Sequence, residues 1–107
     1  SRALPACFSL SWPLLSFFMP MTIKEFQDFI LRQYGVRDTE RGTPHTFMWF
    51  VEEVGELASA LAGDDHFNKE EEFADVLAWL CTLANINGVD LTKAVQKYTV
   101  RGVQGHK

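Results

Sequence analysis

Two short strings carry carboxylates at a spacing that can do chemistry: Glu52, Glu53 and Glu56 in VEEVGEL, and Glu72 and Asp75 in EEFADVLAWL. In a helix, residues three apart stand about 60° apart around the axis, at roughly 100° per residue, so Glu53 with Glu56 and Glu72 with Asp75 each put two carboxylates on one face. Each pair can close on one ion. Two helices meeting through these faces bring four carboxylates together, which is unfavourable unless protons or cations intervene, and a divalent metal is the simplest resolution. Hard oxygen ligands without His or Cys suit magnesium, or manganese, better than zinc. Magnesium held this way provides charge neutralisation, substrate orientation and a polarised water for phosphoryl transfer.

The neighbours of these acids separate them from an ordinary solvated stripe. Phe47, Phe50, Val51, Val54, Leu57, Ala58 and Leu61 define one apolar arc; Glu53 borders it, with Trp49 and Ala60 on its other side, and Glu56 lies one step further round. Glu72 and Asp75 are interleaved with Trp79, Leu83 and Ile86 in a helix that is apolar nearly all round after its first turn, so its acids cannot all face water. Glu70 and Glu71, as first-turn acids, complement the helix dipole. Glu52 lies towards the polar side beside Ser59, and a solvated role stands level with a supporting or basic one. His45, His66 and His106 read as surface histidines. Trp49 and Trp79 read as core, with a nucleobase pocket lined by Phe47 and Trp49 as the alternative.

Four helices are expected to position this chemistry. Thr22 and Glu25 form a capping box ahead of a helix whose apolar residues are Ile23, Phe26, Phe29 and Ile30, and Gly35 closes it. The polar residues 36–45 read as a loop, after which Thr43 caps and Pro44 enters the first turn of a second helix running to residue 62, before Gly63. Asp64 or Asp65 opens a third, reaching about residue 87 before Gly88, and Asp90 caps a fourth over residues 91–98. No strand pattern appears, so the expected fold is an all-α four-helix bundle.

At 107 residues, with 47% apolar residues, the chain fits one domain. Three Trp and nine Phe are many for so small an interior, which points to surface covered by another subunit. A net charge of −4 argues against a broad grip on a nucleic-acid polymer. Cys7 and Cys81 fit no metal spacing, and Cys81 reads as a small core residue. Residues 4–19 are apolar but carry two prolines and are too short to span a membrane; no convincing cleavage site follows them, and a cytoplasmic protein is expected. Residues 1–20 form an extension, either upstream sequence or an arm docked over an apolar groove, and the domain proper is expected from 21 to 107.

The strings Glu52-Glu53-Val54-Gly55-Glu56 and Glu72-Phe73-Ala74-Asp75 resemble the E-E-x-x-E and E-x-x-D signature of the MazG-like, all-α nucleoside triphosphate pyrophosphohydrolases, in order and in spacing. The similarity extends from about Met21 to Arg101. It implies hydrolysis of a nucleoside triphosphate between the α and β phosphates, to monophosphate and pyrophosphate, with magnesium on Glu53, Glu56, Glu72 and Asp75. It further implies catalytic roles for Glu52 and Glu53, with Glu52 supporting the attacking water or a further metal. Lys97, Tyr98 and Arg101 resemble the family's basic, phosphate-contacting end, a solvated helix end being the level alternative; Trp49 and Asn85 are assigned to the substrate side. The family's bundle is completed by a partner, so a homodimer or homotetramer is implied. From a different class, the competing expectation is a non-catalytic oligomerisation or adaptor module with an acidic binding surface. A di-iron bundle is disfavoured, because Asp75 stands where that architecture needs histidine.

Overall fold

The computed structural model describes residues 20–102. The apolar residues 1–19, Cys7 among them, and the tail residue His106 lie outside the described residues. Among those described, all regular structure is helical: α1 (Ile23–Arg41), α2 (Thr43–Ala62), α3 (His66–Ile86) and two one-turn pieces, α4 (Leu91–Ala94) and α5 (Gln96–Thr99). None of these helices is long and apolar enough to cross a membrane.

Helix α1 begins at the expected capping box: Thr22 N–H donates to Glu25 Oε1 at 2.9 Å and Glu25 N–H to Thr22 Oγ1 at 3.1 Å. Its end differs from expectation. Gly35 does not close it, and residues 36–41 are helical rather than loop. A mid-helix glycine costs about 1 kcal/mol relative to alanine, and contacts of the last turns offset it. Thr39 Oγ1 donates to the Gly35 carbonyl at 2.8 Å, and Asp38 reaches the interior, where its Oδ2 accepts from Thr82 Oγ1 at 3.1 Å. The break is the single residue Gly42, at φ +82°, a left-handed backbone that other residues resist. Gly42 rather than Thr43 is the N-cap of α2, with Pro44 in the first turn as expected.

Asp65 caps α3 by accepting from Asn68 N–H at 3.2 Å. The helix ends in a Schellman motif, with Val89 N–H on the Ala84 carbonyl at 2.8 Å, Gly88 N–H on that of Asn85 at 3.2 Å, and Gly88 at φ +67°. The expected fourth helix divides at Val95, although Val95 keeps a helical backbone (φ −68°, ψ −13°).

Helix α3 is the centre of the packing, with α2 against one side and α1 against another. The buried apolar set is small, Ile30, Ala60, Trp79, Cys81 and Ala84, and it sits beside six buried polar residues, Gln27, Asp38, Thr46, Glu53, Glu72 and Thr82. Much of the apolar arc of α2 is not turned inward: Phe47, Val51, Val54 and Leu61 are 42–53% exposed. The buried residues of α2 are instead Thr46, Glu53 and Ala60, seven apart and so nearly in line along one seam. Packing that seam on α3 leaves much of the apolar arc, about a quarter-turn round, uncovered by any helix among the described residues.

Candidate metal centre

The α2 seam carries Glu53 into complete burial, and α3 buries Glu72 opposite it. Carboxylate oxygens of Glu53, Glu72 and the half-buried Asp75 all lie within 4.8 Å of one another. Burial, first, and then the charges of Asp75, Glu53 and Glu56 push the Glu72 carboxyl above its ordinary value. Glu72 Oε2 is buried with no hydrogen-bond partner, although a buried acceptor left unmet is costly. A cation among these oxygens would satisfy that acceptor and reverse the repulsion, so the donor set fits a hard divalent ion. Of the four carboxylates expected as ligands, three are thus gathered by their oxygens. Glu56 is exposed at the edge of the cluster, near enough for its charge to act on Glu72. Glu52 is exposed.

A simple register brings these residues together. Trp49 on α2 meets Trp79 on α3 edge-on, with ring centroids 5.6 Å apart. Four residues further along α2 is Glu53, and four residues back along α3 is Asp75, its partner in the cluster. Another three residues forward and back give Glu56 and Glu72, which interact through charge. Equal and opposite steps mean antiparallel helices in constant register, so any device holding the Trp49–Trp79 level also holds the carboxylates.

A set of contacts at that level comes from the segment expected as a loop. Arg41, from the last turn of α1, places its guanidinium carbon 4.9 Å from the ring centroids of both Trp49 and Trp79, within cation–π reach. Its Nε donates to Thr46 Oγ1 at 2.9 Å and its Nη2 to Asp38 Oδ1, while Asp38 Oδ2 takes the hydroxyl of Thr82. Asp38 is 1% exposed, and Thr46 and Thr82 are fully buried. The signal in the sequence was the helical spacing of Gln27, Ile30, Asp38 and Arg41, which continues one face straight past Gly35.

The residues expected on the substrate side are not gathered into the cluster. Trp49 is half-buried against Arg41 and Trp79, with His45 edge-on to it at 4.7 Å. Asn85 lies ten residues beyond Asp75, about 15 Å along the helix axis. There it is occupied with Gln27, accepting from its Nε2 at 3.0 Å and donating to its carbonyl at 3.2 Å. Lys97, Tyr98 and Arg101 are exposed, and Lys97 Nζ sits 5.3 Å from the Tyr98 ring centroid.

The buried acids on two antiparallel helices define an all-α protein with a carboxylate cluster whose donor set fits a cation. The family model of the MazG nucleotide pyrophosphohydrolase domain matches residues 42–104, more than half of the chain and both acid strings, and the chain belongs to that family. The match begins at Gly42, so α1, with Asp38 and Arg41, precedes it. A search of curated proteins returned no match.

Proposed function

We propose that this domain, residues 21–107, hydrolyses nucleoside or deoxynucleoside triphosphates to the monophosphate and pyrophosphate, in the service of clearing the cytoplasmic nucleotide pool. The observation that carries the proposal is the gathering of Glu53, Glu72 and Asp75 within 4.8 Å, two of them buried, in a chain of this family. Glu53, Glu72 and Asp75 would hold magnesium, with manganese as a substitute, and Glu56 would join them from the rim. The ion, when bound, supplies charge neutralisation for phosphate oxygens and acidity for a bound water. Glu53 and Glu72, held in fixed rotamers by burial between two helices, keep their oxygens oriented before substrate arrives, which is where most of the advantage in phosphoryl transfer lies. Glu52, exposed and next to Glu53 in the chain, would accept a proton from an attacking water. Lys97, Tyr98 and Arg101 would contact phosphates, and Trp49 and Asn85 the remainder of the substrate.

The same reading includes self-association. Phe47, Val51, Val54, Ala58 and Leu61 repeat at steps of four and three, the spacing of a helix–helix seam, and α3 adds exposed Phe73, Leu77 and Leu80. A second copy of the chain covers this surface in a dimer or tetramer.

The test is pyrophosphate release from a panel of standard and modified nucleoside triphosphates, with magnesium and with chelator, and identification of the nucleotide product. Magnesium-dependent formation of monophosphate is the expected result. No turnover of any nucleotide by folded, metal-loaded protein would reject it in favour of an adaptor whose acids face a basic partner.

A further inference from the structure

We propose that Arg41 is a positioning residue for the metal centre: its guanidinium, held between Trp49 and Trp79 and anchored by Asp38, Thr46 and Thr82, sets the register in which α2 and α3 present their carboxylates. The inference rests on the carboxylate cluster being a cation site, and it assigns a role to a helix that the family match does not reach.

The argument is geometric. Arg41 bonds α1 to α2 through Thr46, and its partner Asp38 bonds α1 to α3 through Thr82. The two threonines are the pair one level beyond Trp49 and Trp79 in the same antiparallel register, so one ion pair grips both helices at matched heights. The nearest ligands follow one turn away on each helix, Glu53 four residues after Trp49 and Asp75 four residues before Trp79. A slip of one residue between the helices moves a carboxylate about 1.5 Å along the axis and swings it by about 100°, enough to disperse a cluster whose oxygens now lie within 4.8 Å. Repulsion among the acids pushes towards such dispersal whenever no cation is bound. The brace opposes it with a rigid, planar group whose central carbon lies 4.9 Å from both indole centroids, which a lysine cannot reproduce: an ammonium lacks the fork that serves Asp38 and Thr46 together.

At the other end of α1, Gln27 supplies a control. Its Nε2 donates to Asn85 Oδ1 and to the Val89 carbonyl at 2.7 Å, and its Oε1 accepts from Leu91 N–H at 3.0 Å. It therefore fastens α1 to α3 without touching α2 or the register at the acids.

The experiment measures Mn2+ binding to the full chain by electron paramagnetic resonance, with thermal stability recorded in parallel, for wild type, Arg41→Lys and Gln27→Leu. Arg41→Lys is expected to weaken Mn2+ binding by about tenfold or more, the usual scale for loss of a group that orients ligands. Gln27→Leu is expected to lower the melting temperature while leaving Mn2+ affinity within about twofold of wild type, as for sites that are distant and uncoupled. Should Arg41→Lys not fold, Thr82→Val, which removes only the hydroxyl holding Asp38, is expected to weaken Mn2+ binding several-fold. Wild-type affinity in Arg41→Lys, or in Thr82→Val where that variant replaces it, overturns the proposal. So does an equal loss in Gln27→Leu, which would make the effect one of general stability. Absence of Mn2+ binding by wild type itself rejects the metal site and the brace's role with it.

Discussion

Replacing Glu72 by glutamine should make the metal-free protein more stable and the magnesium-loaded protein less responsive. The substitution keeps the side chain's volume and removes one charge from a cluster whose oxygens lie within 4.8 Å. At that distance and an effective dielectric of ~20, two full charges repel by roughly 3 kcal/mol. Part of this is already relieved, because the raised Glu72 carboxyl holds its proton further up the pH scale. A net gain of about 1–2 kcal/mol is therefore the reasonable scale. For a domain of this size it corresponds to a rise of about 5–15 °C in melting temperature. Magnesium at a hundred times its dissociation constant stabilises wild type by about 2.7 kcal/mol through mass action, whereas the variant, one ligand charge short, gains less. Differential scanning fluorimetry in chelator and in a magnesium series should show the two proteins exchanging order. The pH dependence follows with a definite sign. Because the folded value of Glu72 is raised, the folded state holds a proton that the unfolded chain has already lost. Stability in chelator should then fall as pH rises from the ordinary carboxylate value of 4.5 through the raised one. The magnesium-induced shift should grow over the same interval, since the ion binds the deprotonated form. A Glu72→Gln protein that is less stable than wild type in chelator yet gains as much from magnesium would refute the reasoning.

Glu53→Gln and Asp75→Asn should each reduce pyrophosphate release by at least about a hundredfold, the scale of losing a preorganised charge at a reacting phosphate, with far-ultraviolet circular dichroism unchanged; wild-type turnover in either would remove those residues from the site. Gly35→Ala should raise stability by roughly 0.5–1 kcal/mol in urea unfolding. The backbone there is helical, and the new methyl would meet only the tip of exposed Leu31, whose Cδ1 lies 2.9 Å away and is free to turn; a loss of stability would show that the glycine is needed for packing. Val54→Asp, in the middle of the exposed α2 stripe, should weaken self-association by at least about tenfold on light scattering, since it sets a charge in an apolar seam, and an unchanged assembly would place the interface elsewhere.

Much of this architecture was legible because short-range chemistry dictates it. Thr22 with Glu25, Asp65, Asp90 and Gly88 each end or begin an element through hydrogen bonds to residues at most a few positions away, and each does so where expected. The two acid strings could likewise be placed on helices by spacing alone. Two features were read poorly from local signals, for a common physical reason. Gly35 has a local preference against helix that is overridden by what Asp38 meets on α3, forty-four residues later. The depth of Glu53 depends on which side of α2 faces α3, and periodicity marks only that Glu53 borders an apolar arc. The chain turns Thr46, Glu53 and Ala60 inward and leaves much of that arc exposed.

That choice links the site to the surface around it. A helix has room for one seam against each neighbour, and α2 gives the fully buried positions of its intramolecular seam to a threonine, a glutamate and an alanine, with Trp49 half-buried among them against Trp79. Much of the apolar arc remains exposed among the described residues, so little of the packing that usually stabilises an amphipathic helix falls on that face. The polar seam has to be held by specific bonds instead, and the Asp38–Arg41 pair with its two threonines and two indoles provides them at the level next to the acids. The exposed stripe and the buried ion pair fit one requirement: carboxylates that face each other across an antiparallel helix pair displace the hydrophobic contact that would otherwise lie there, and the proposed brace and the proposed second copy are the two ways in which its loss is compensated.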